Sequence, residues 1–448
     1  MMRRHWKLLG IALIALAIGV TAACGGDEEE AAPPPAPAPA PEPAPPPPPP
    51  PPPAPSPEPA PPPPPPPPPA PSPEPAPAPP PAPAPEPAPA PPPEPVGPPV
   101  AVADSILDVT VVNDDLWVVG FGVFDQDYPA EGPISVPEGL QFTPLDVVKP
   151  EEVTGDWTIC YFQDGLNNIW LEQTKSGAEQ AGGYLGIEVI YQDAGWDAAR
   201  QLNQIENAIA QGGCDAIVAQ IIDGSVVCKV LSQDAGEAGI PVVVTNTGIC
   251  GNDDWTEGTV SFVGAQTRAY FEQMLSVPMQ WLSERGGGEV GWVQGPAGWK
   301  GTLLADEIMA GLEAAYPNVD VVQRIPGNFT VEAGLESAQV LINTHPDLSM
   351  ILSQYDAMTL GIIQALKDEG KGPGEIMIGV TGGGDRTAFE AVRDGWVLQG
   401  GIVQPLEESA HGIEIAVAHL EGYKVPRVVD QGGEFITKET LNAFIVEA

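Results

Sequence analysis

Side chains that can bind a small polar molecule recur directly after the predicted strands of this chain. They occur at 163–170, Asp223, Asn246-Thr247, 295–299, Asn328-Phe329, Tyr355-Asp356, Thr381-Gly382 and Gln404. The set combines amides, carboxyls, hydroxyls and aromatic rings, but it contains no nucleophile paired with a base. The sequence also lacks a GxSxG elbow, a zincin motif and a complete phosphate loop. It therefore predicts a binding site, with no catalytic residues, no cofactor and no metal.

The predicted elements bring these positions together. Strand-like runs lie at 157–162, 187–191, 216–219, 242–245, 289–293, 319–322, 349–352 and 376–379, and amphipathic helices such as 171–184, 198–211, 303–315 and 357–369 lie between them. This alternation is typical of βαβ units with parallel sheets, which bind ligands at the carboxyl ends of their strands. We therefore expect the candidate side chains to meet at one edge of each sheet.

The series of strands divides into two groups near residue 264. We predict an α/β fold of two doubly wound, Rossmann-like lobes. The N-terminal lobe would comprise 155–263 plus 404–431, and the C-terminal lobe 264–403 plus 432–448. Crossings near 262–265, 402–405 and 429–433 would form the hinge between them.

The N-terminus resembles the signal of a bacterial lipoprotein. Residues 1–7 carry three basic side chains, 8–20 are apolar and too short to span a bilayer comfortably, and small residues precede Cys24. We predict a signal peptide at 1–23, lipidation of Cys24 and a membrane-anchored protein on the outer face of the cytoplasmic membrane, in the cell envelope or periplasm. The alternative is an ordinary secretory signal in which Cys24 is incidental.

Residues 24–100 turn from acidic to almost pure proline and alanine. Proline has a fixed φ and no amide donor, so this composition predicts a disordered, extended tether rather than a packed domain. A spacer through an envelope layer and a linker without a selected length are both open interpretations. Residues 101–150 contain strand-like runs at 107–112 and 116–119, which predict a small hairpin or an extended strap.

The net charge of the chain argues against two classes of binding partner. A formal net charge of −42 disfavours nucleic acid and anionic lipid surfaces, because both would be repelled. The segment 407–419 carries two histidines and three glutamates, and we interpret it as a solvated helix face rather than a metal site.

Four cysteines follow Cys24, and none has the CxxC spacing of a zinc site. In an oxidising envelope we expect a disulfide between Cys228 and Cys250, because one begins a predicted helix and the other follows the next strand. Cys160 and Cys214 lie in apolar strand surroundings, and we expect them to be buried thiols.

Residues 155–448 resemble the type I periplasmic binding proteins, the ribose and galactose binders of sugar transporters. The resemblance rests on LNNIW at 166–170, GIPVV at 239–243, LINTHPD at 341–347, SQYD at 353–356, LGIIQAL at 360–366, IGVTGG at 378–383 and GGIVQ at 400–404. The order and spacing of these motifs support the resemblance, because no single motif is specific by itself.

The resemblance implies a ligand cleft formed by Asn168, Trp170, Asn246, Phe329, Tyr355, Thr381 and Gln404, with Asp356 beside Tyr355 and Trp299 as a further aromatic wall. Aromatic rings would stack on the apolar faces of a sugar, and amides and hydroxyls would fix its orientation. Ordinary core positions for the rings, and capping of strand ends by Asn246 and Thr381, are the structural alternatives.

The chain departs from the family pattern at charged positions. Sugar binders of this family commonly have Asp-Arg where Asn246-Thr247 stand, an arginine near 304–306 and an aspartate in place of Thr381. The loss of charge-assisted hydrogen bonds predicts a ligand that is less hydroxyl-rich than ribose or that faces more aromatic surface.

These features predict a lipid-anchored, monomeric solute-binding protein that closes two lobes on a small sugar-like ligand and delivers it to an ABC transporter permease. The alternatives are a ligand-sensing lipoprotein for a signalling partner and, from a different class, an envelope enzyme or a structural surface protein.

Overall fold

The computed structural model describes residues 107–121, 126–136, 139–444 and 446. The predicted signal peptide, Cys24 and the tether lie outside the described residues. Within the described part, no helix is both long and apolar enough to cross a membrane.

The described strands, in chain order, are β1 (Leu107–Asn113), β2 (Leu116–Phe121), β3 (Thr158–Gln163), β4 (Glu188–Asp193), β5 (Ala216–Gln220), β6 (Val242–Thr245), β7 (Ser261–Gly264), β8 (Gly288–Gln294), β9 (Val319–Pro326), β10 (Leu348–Ser353), β11 (Met377–Gly383), β12 (Val397–Ile402), β13 (Val428–Asp430) and β14 (Glu434–Ile436). They form two sheets. The first has the order β1-β2-β13-β7-β6-β5-β3-β4 and the second the order β14-β12-β11-β10-β8-β9. The neighbouring strands run parallel except at β1/β2 and β12/β14.

The described helices are α1 (Ile169–Leu185), α2 (Ala198–Gln211), α3 (Ala235–Glu237), α4 (Arg268–Glu284), α5 (Lys300–Ala315), α6 (Val331–Thr344), α7 (Asp356–Asp368), α8 (Arg386–Arg393) and α9 (Pro405–Leu420). A π-helical stretch, Val230–Asp234, leads into α3, and short 3-10 helices lie at Pro150–Glu152 and Leu441–Ala443. Local sequence explains several ends. Asp197 caps α2 by accepting from Ala199 N and Arg200 N, and Gly212 ends the helix at a φ of 65°.

The predicted fold class is confirmed, since two mostly parallel sheets with helices between their strands form two lobes. The chain leaves the first sheet after β7, returns to it through α9 and β13, and enters the second sheet again at β14. Three connections between the lobes, after Gly264, Ile402 and Asp430, are therefore close in space at the hinge.

Helix α9 is buried along 405–418, so the interpretation of 407–419 as a solvated face was wrong. The helix packs against α1 and the first sheet on one side. On another side, α9 contacts residues 143–145. There His411 Nε2 lies 2.8 Å from Thr143 O, and Leu145 N donates to Glu414 Oε2 at 3.0 Å. Buried polar groups are tolerated here because backbone groups bond to them.

Two disulfides join the four described cysteines. The structure contains Cys228–Cys250, with a Cα–Cα distance of 4.8 Å. It also joins Cys160 to Cys214 at 5.6 Å, so the expectation of two buried thiols was wrong. β3 pairs in parallel with β5, Cys160 lying opposite Ile217, and this register brings Cys214 beside Cys160 just before β5 begins. The two cysteines are 54 residues apart in the sequence, so their spacing alone does not predict this contact.

The described residues of the segment 101–150 form a hairpin and then a strap. β1 and β2 pair antiparallel, and β2 extends the first sheet by pairing with β13. The strap, defined as 126–136 and 139–153, first lies on the second lobe, where Glu390 Oε1 accepts from Ile134 N at 2.9 Å. It then lies on the first lobe, where Gln180 Nε2 donates to Leu140 O at 3.1 Å. The strap thus contacts both lobes.

Candidate functional site

A cavity lies between the two lobes, where strands of both sheets end, and its empty space, open solvent included, is about 530 Å³. Its first-lobe wall consists of Asp164, Asn168, Trp170, Leu171, Trp196, Gln220 and Asn246. The remaining wall consists of Gln266, Tyr270, Phe271, Met274, Trp299, Phe329, Gln354, Tyr355, Gly382, Gly383 and Val403. The first wall is rich in polar groups, and the second is mainly aromatic.

Asp164 is the polar centre of the first wall. It directly follows β3 and is 2% exposed. Its carboxylate accepts from Gln220 Nε2 at 2.9 Å, from Gly165 N at 2.8 Å and from Gln163 Nε2 at 3.3 Å. Burial raises the pKa of Asp164 to about 7, although these hydrogen bonds partly offset the effect.

The hydrogen bonds to Asp164 also orient the two glutamines. Because the ionised form of Asp164 only accepts, each amide turns its nitrogen to that carboxylate and its oxygen away. Both oxygens, Gln163 Oε1 and Gln220 Oε1, are buried without a hydrogen-bond partner among the described residues. Of these two glutamines, Gln220 lines the cavity and offers a ligand an unused acceptor.

Phe329 is the centre of the aromatic wall. Its ring centroid lies 5.3 Å from that of Trp299, 5.4 Å from that of Tyr355 and 5.7 Å from that of Trp196. The Trp299 ring is inclined at 89° and the Tyr355 ring at 69° to Phe329. The rings therefore face in more than one direction. Aromatic faces of this kind can contact the apolar surface of a ligand or a cation.

Trp196 extends the aromatic wall from the second lobe to the first. It follows β4 in the first lobe, and its Nε1 donates to Asn167 Oδ1 at 2.8 Å. The indole lies directly over Gly165, where an added Cβ would be 2.4 Å from Nε1. Since Phe329 belongs to the second lobe, the Trp196–Phe329 contact joins the two lobes at the cavity.

A second contact between the lobes is ionic. Asp253, in the loop between β6 and β7, accepts from Arg268 Nε at 2.8 Å and from Lys300 Nζ at 2.8 Å. Burial disfavours its charge, yet the two cations outweigh burial and lower the pKa of Asp253. Arg268 and Lys300 begin α4 and α5 of the second lobe. We call these three residues the cross-lobe ion cluster.

Six of the side chains expected in the ligand cleft line this cavity: Asn168, Trp170, Asn246, Trp299, Phe329 and Tyr355. Asn168 has a second role, because its Oδ1 caps α1 by accepting from Leu171 N at 3.0 Å. Trp170 is 6% exposed, and its Nε1 has no hydrogen-bond partner among the described residues.

The structure places Asp356, Thr381 and Gln404 outside the cavity lining. Thr381 Oγ1 donates to Asp356 Oδ1 at 2.5 Å, and Asp385 N donates to Asp356 Oδ2 at 2.9 Å. These bonds hold the ends of β10 and β11 together behind Tyr355. Gln404 is buried next to Val403, which does line the cavity.

Sequence reasoning included Asp164 in the strand-end run 163–170 but did not select it for the cleft, and it missed Trp196 and Gln220, together with Tyr270 and Phe271 of α4. The rule that ligands bind at strand ends also applies to Gln220 and could have found it. For Trp196 the only signal was an aromatic residue in the turn after β4. Tyr270 and Phe271 sit on a helix face, where the pattern is indistinguishable from core. In the described part of the chain, no cluster of three or more His, Cys, Asp or Glu side chains could hold a metal ion.

Comparison with known proteins gives relatives of one kind. Residues 159–424 match the family described as periplasmic binding protein domain. The ribose import binding protein of Salmonella typhimurium is 26% identical over 274 residues, which cover 60% of this chain and 86% of the relative. The xylitol-binding protein of Mycolicibacterium smegmatis is 26% identical over 263 residues, covering 57% of this chain and 70% of the relative.

Solved structures agree in fold. The periplasmic binding protein component of the arabinose ABC transporter from Shewanella sp. ANA-3, bound to α- and β-L-arabinofuranose, has a TM-score of 0.57 and 26% identity, and covers 64% of this chain and 93% of that chain. An ABC transporter solute binding protein from Mycobacterium smegmatis with bound glycerol has a TM-score of 0.58 and 24% identity, with 66% and 98% coverage. At 24% identity, the similarity to the glycerol-bound protein shows a shared fold.

Proposed function

Because the chain belongs to the periplasmic binding protein family, we propose that it is an extracytoplasmic receptor that captures a small sugar-like solute and delivers it to an ABC importer. The observation that carries this function is the cavity between the lobes, whose walls come from both sheets. The relatives named above, a ribose import binding protein and a xylitol-binding protein, support a polyhydroxylated ligand class.

Lobe closure is the proposed mechanism. A ligand shifts the hinge only if it binds the closed state more tightly than the open state. The polar wall around Asp164 and the aromatic wall around Phe329 belong to different lobes, so both contact the ligand fully only after closure. The closed form is then the state that the permease would recognise.

Anchoring at Cys24 completes the proposal. The signal at 1–23 and the proline-rich tether would place the two lobes on the outer face of the cytoplasmic membrane, as a monomer free to close. The cavity lining combines amides and rings without a nucleophile and base pair, which suits binding rather than turnover.

A thermal-shift screen of the full chain against pentoses, hexoses, polyols and amino sugars tests the proposal. A true ligand raises the unfolding midpoint progressively as its concentration exceeds Kd. Trp170→Ala and Phe329→Ala should abolish the shift, whereas Trp281→Ala, on α4 and outside the cavity lining, should retain it. Absence of any shift in folded, ligand-free protein would count against the receptor function.

A further inference from the structure

Resting on the proposed function, we infer that the ligand is a cation: a sugar- or polyol-sized molecule carrying a protonated amine or a quaternary ammonium group. The group would lie between the Asp164 carboxylate and the aromatic wall around Phe329. This inference adds a positive charge to the sugar-like ligand class proposed above.

Asp164 is the one formally charged group among the described residues that line the cavity. Its partners are neutral donors, two amides and a backbone N–H. A buried carboxylate without a counter-ion is costly, and a bound cation removes that cost. Burial is the main cause of the raised pKa of Asp164, which agrees with this cost of its charge.

The unused acceptor beside Asp164 points to the same chemistry. Gln220 is 2% exposed, and its Oε1 is left without a partner because its Nε2 donates to Asp164. An ammonium group has up to three N–H donors and no acceptor. A protonated amine can therefore satisfy Asp164 and Gln220 Oε1 together, whereas a quaternary ammonium group has no N–H and relies on its charge and on ring contacts.

The opposite wall offers ring faces rather than charges. The rings of Trp299 and Tyr355 each lie at a steep angle to Phe329, with centroids within 5.4 Å of its centroid. A cation within about 6 Å of such a ring centroid is attracted by the negative ring face, and the attraction grows when water is excluded. Rings that meet at steep angles beside one cavity suit a compact cation better than a single flat sugar face.

Two described cations at the lobe interface are paired with a different carboxylate and do not bond to Asp164. Arg268 and Lys300, the cations of the cross-lobe ion cluster, are both bonded to Asp253. The whole chain has a formal charge of −42, which attracts cationic solutes towards the cleft. A neutral sugar could also bond to Asp164 through hydroxyls, so the charge of the ligand is the property to test.

Isothermal titration of the full chain with matched pairs isolates that property. Glucamine is compared with sorbitol, and choline with 3,3-dimethylbutan-1-ol. We expect the charged member of at least one pair to bind about tenfold or more tightly than its neutral partner, because desolvated cation–π and carboxylate contacts favour it. Asp164→Asn keeps the shape of the side chain and should bring that pair within about twofold.

Asp234→Asn is the matched control, since this carboxyl lies in the same lobe outside the cavity lining and pairs with Lys229, and it should preserve the preference. Equal or tighter binding of the neutral members, or binding only of neutral sugars in the screen, overturns the cation inference and leaves the receptor function standing. Absence of binding by every compound overturns both. Should Asp164→Asn fail to fold, the wild-type pairs decide the inference alone.

Discussion

Trp196, Asn246 and Phe329 share a backbone conformation that side chains other than glycine rarely adopt. Their φ angles are 61°, 70° and 62°, and they are three of the five non-glycine residues with positive φ in the described part of the chain. All three line the cavity. Such strain persists only where surrounding structure enforces it, and it concentrates at ligand sites. Here it turns two aromatic rings and one amide towards the same volume.

Trp196→Ala tests the contribution of one of these rings. The side chain is only half-buried, so we expect the fold to survive, but the contact with Phe329 across the cavity is lost. Ligand release should accelerate by about tenfold, since affinity differences within one site lie mostly in dissociation. Stopped-flow fluorescence measures the rate, with Trp281→Ala as control. An unchanged release rate would show that Trp196 does not hold the closed cleft.

At the scale of elements, a loop fixed by a disulfide reaches from the first lobe to two helix starts of the second. Cys250 is bonded to Cys228, and three residues later Asp253 meets Arg268 and Lys300. Lys300 Nζ also donates to Gly251 O at 3.0 Å. The disulfide limits the movement of the loop that carries the carboxylate, so the cross-lobe ion cluster forms at little entropic cost.

Asp253→Asn should weaken closure without unfolding either lobe. A partly exposed ion pair contributes roughly 0–1 kcal/mol, so we expect ligand affinity to fall by about twofold to fivefold, and less at high salt. Titration calorimetry at two salt concentrations measures the effect. Asp234→Asn is the control, because its partner Lys229 lies in the same lobe. An equal loss of affinity in both variants would refute a role of the cluster in closure.

At the scale of the whole molecule, the strap adds links between the lobes beyond the three hinge crossings. Arg393 Nη1 donates to Pro129 O at 3.1 Å and to Gly132 O at 2.7 Å, which fixes the strap to α8. Ile134 lies in the core of the second lobe, whereas Phe142 and Val148 lie in that of the first. Hinge motion must therefore bend or shift the segment between these anchors.

Arg393→Gln should release the strap from the second lobe. The arginine side chain is 9% exposed, and each charge-assisted bond contributes about 1.5–3 kcal/mol. We expect faster amide hydrogen exchange at 126–136 and little change at 139–153, because Glu414 and Gln180 hold the latter. Arg285→Gln, in the same lobe but bonded to Trp281 O, is the control. Unchanged exchange at 126–136 would contradict this account of the strap.

Buried carboxyls give the molecule a stability that depends on pH. Burial raises the pKa of Glu408 and of Glu414 to about 8, whereas such groups ionise near about 4.3 when unfolded. The folded protein therefore binds more protons, and stabilisation present at low pH is lost as pH rises through the folded pKa. Burial lowers the pKa of His411 to about 4, so it is neutral in both states above about pH 7.5.

We consequently expect the unfolding midpoint to fall between about pH 6.5 and pH 8.5, by an amount equivalent to about 1 kcal/mol per pH unit for each such carboxyl. Calorimetry across this range measures it. Glu414→Gln keeps an acceptor for Leu145 N and should reduce the slope. A midpoint that rises with pH would show that these carboxyls are ionised in the folded state.

The sequence by itself determined the α/β class, because the alternation of short apolar runs with amphipathic helices is a local pattern that each segment carries alone. It also predicted that Asn246, Phe329 and Tyr355 lie close together, and they line one cavity, since parallel strands deliver the residues at their carboxyl ends to one edge. Longer strands such as β10 and β11 were readable for the same reason.

Tertiary structure alone decided the contacts between distant segments. Strand register paired Cys160 with Cys214, and the covering of α9 by α1, a sheet and the strap buried a helix that looked solvated. Trp196 meets Phe329 only because two separate lobes face each other. β13 and β14 have three residues each and are strands because they pair with β7 and β12. Such contacts depend on where whole elements lie, which the spacing of residues along one segment does not encode.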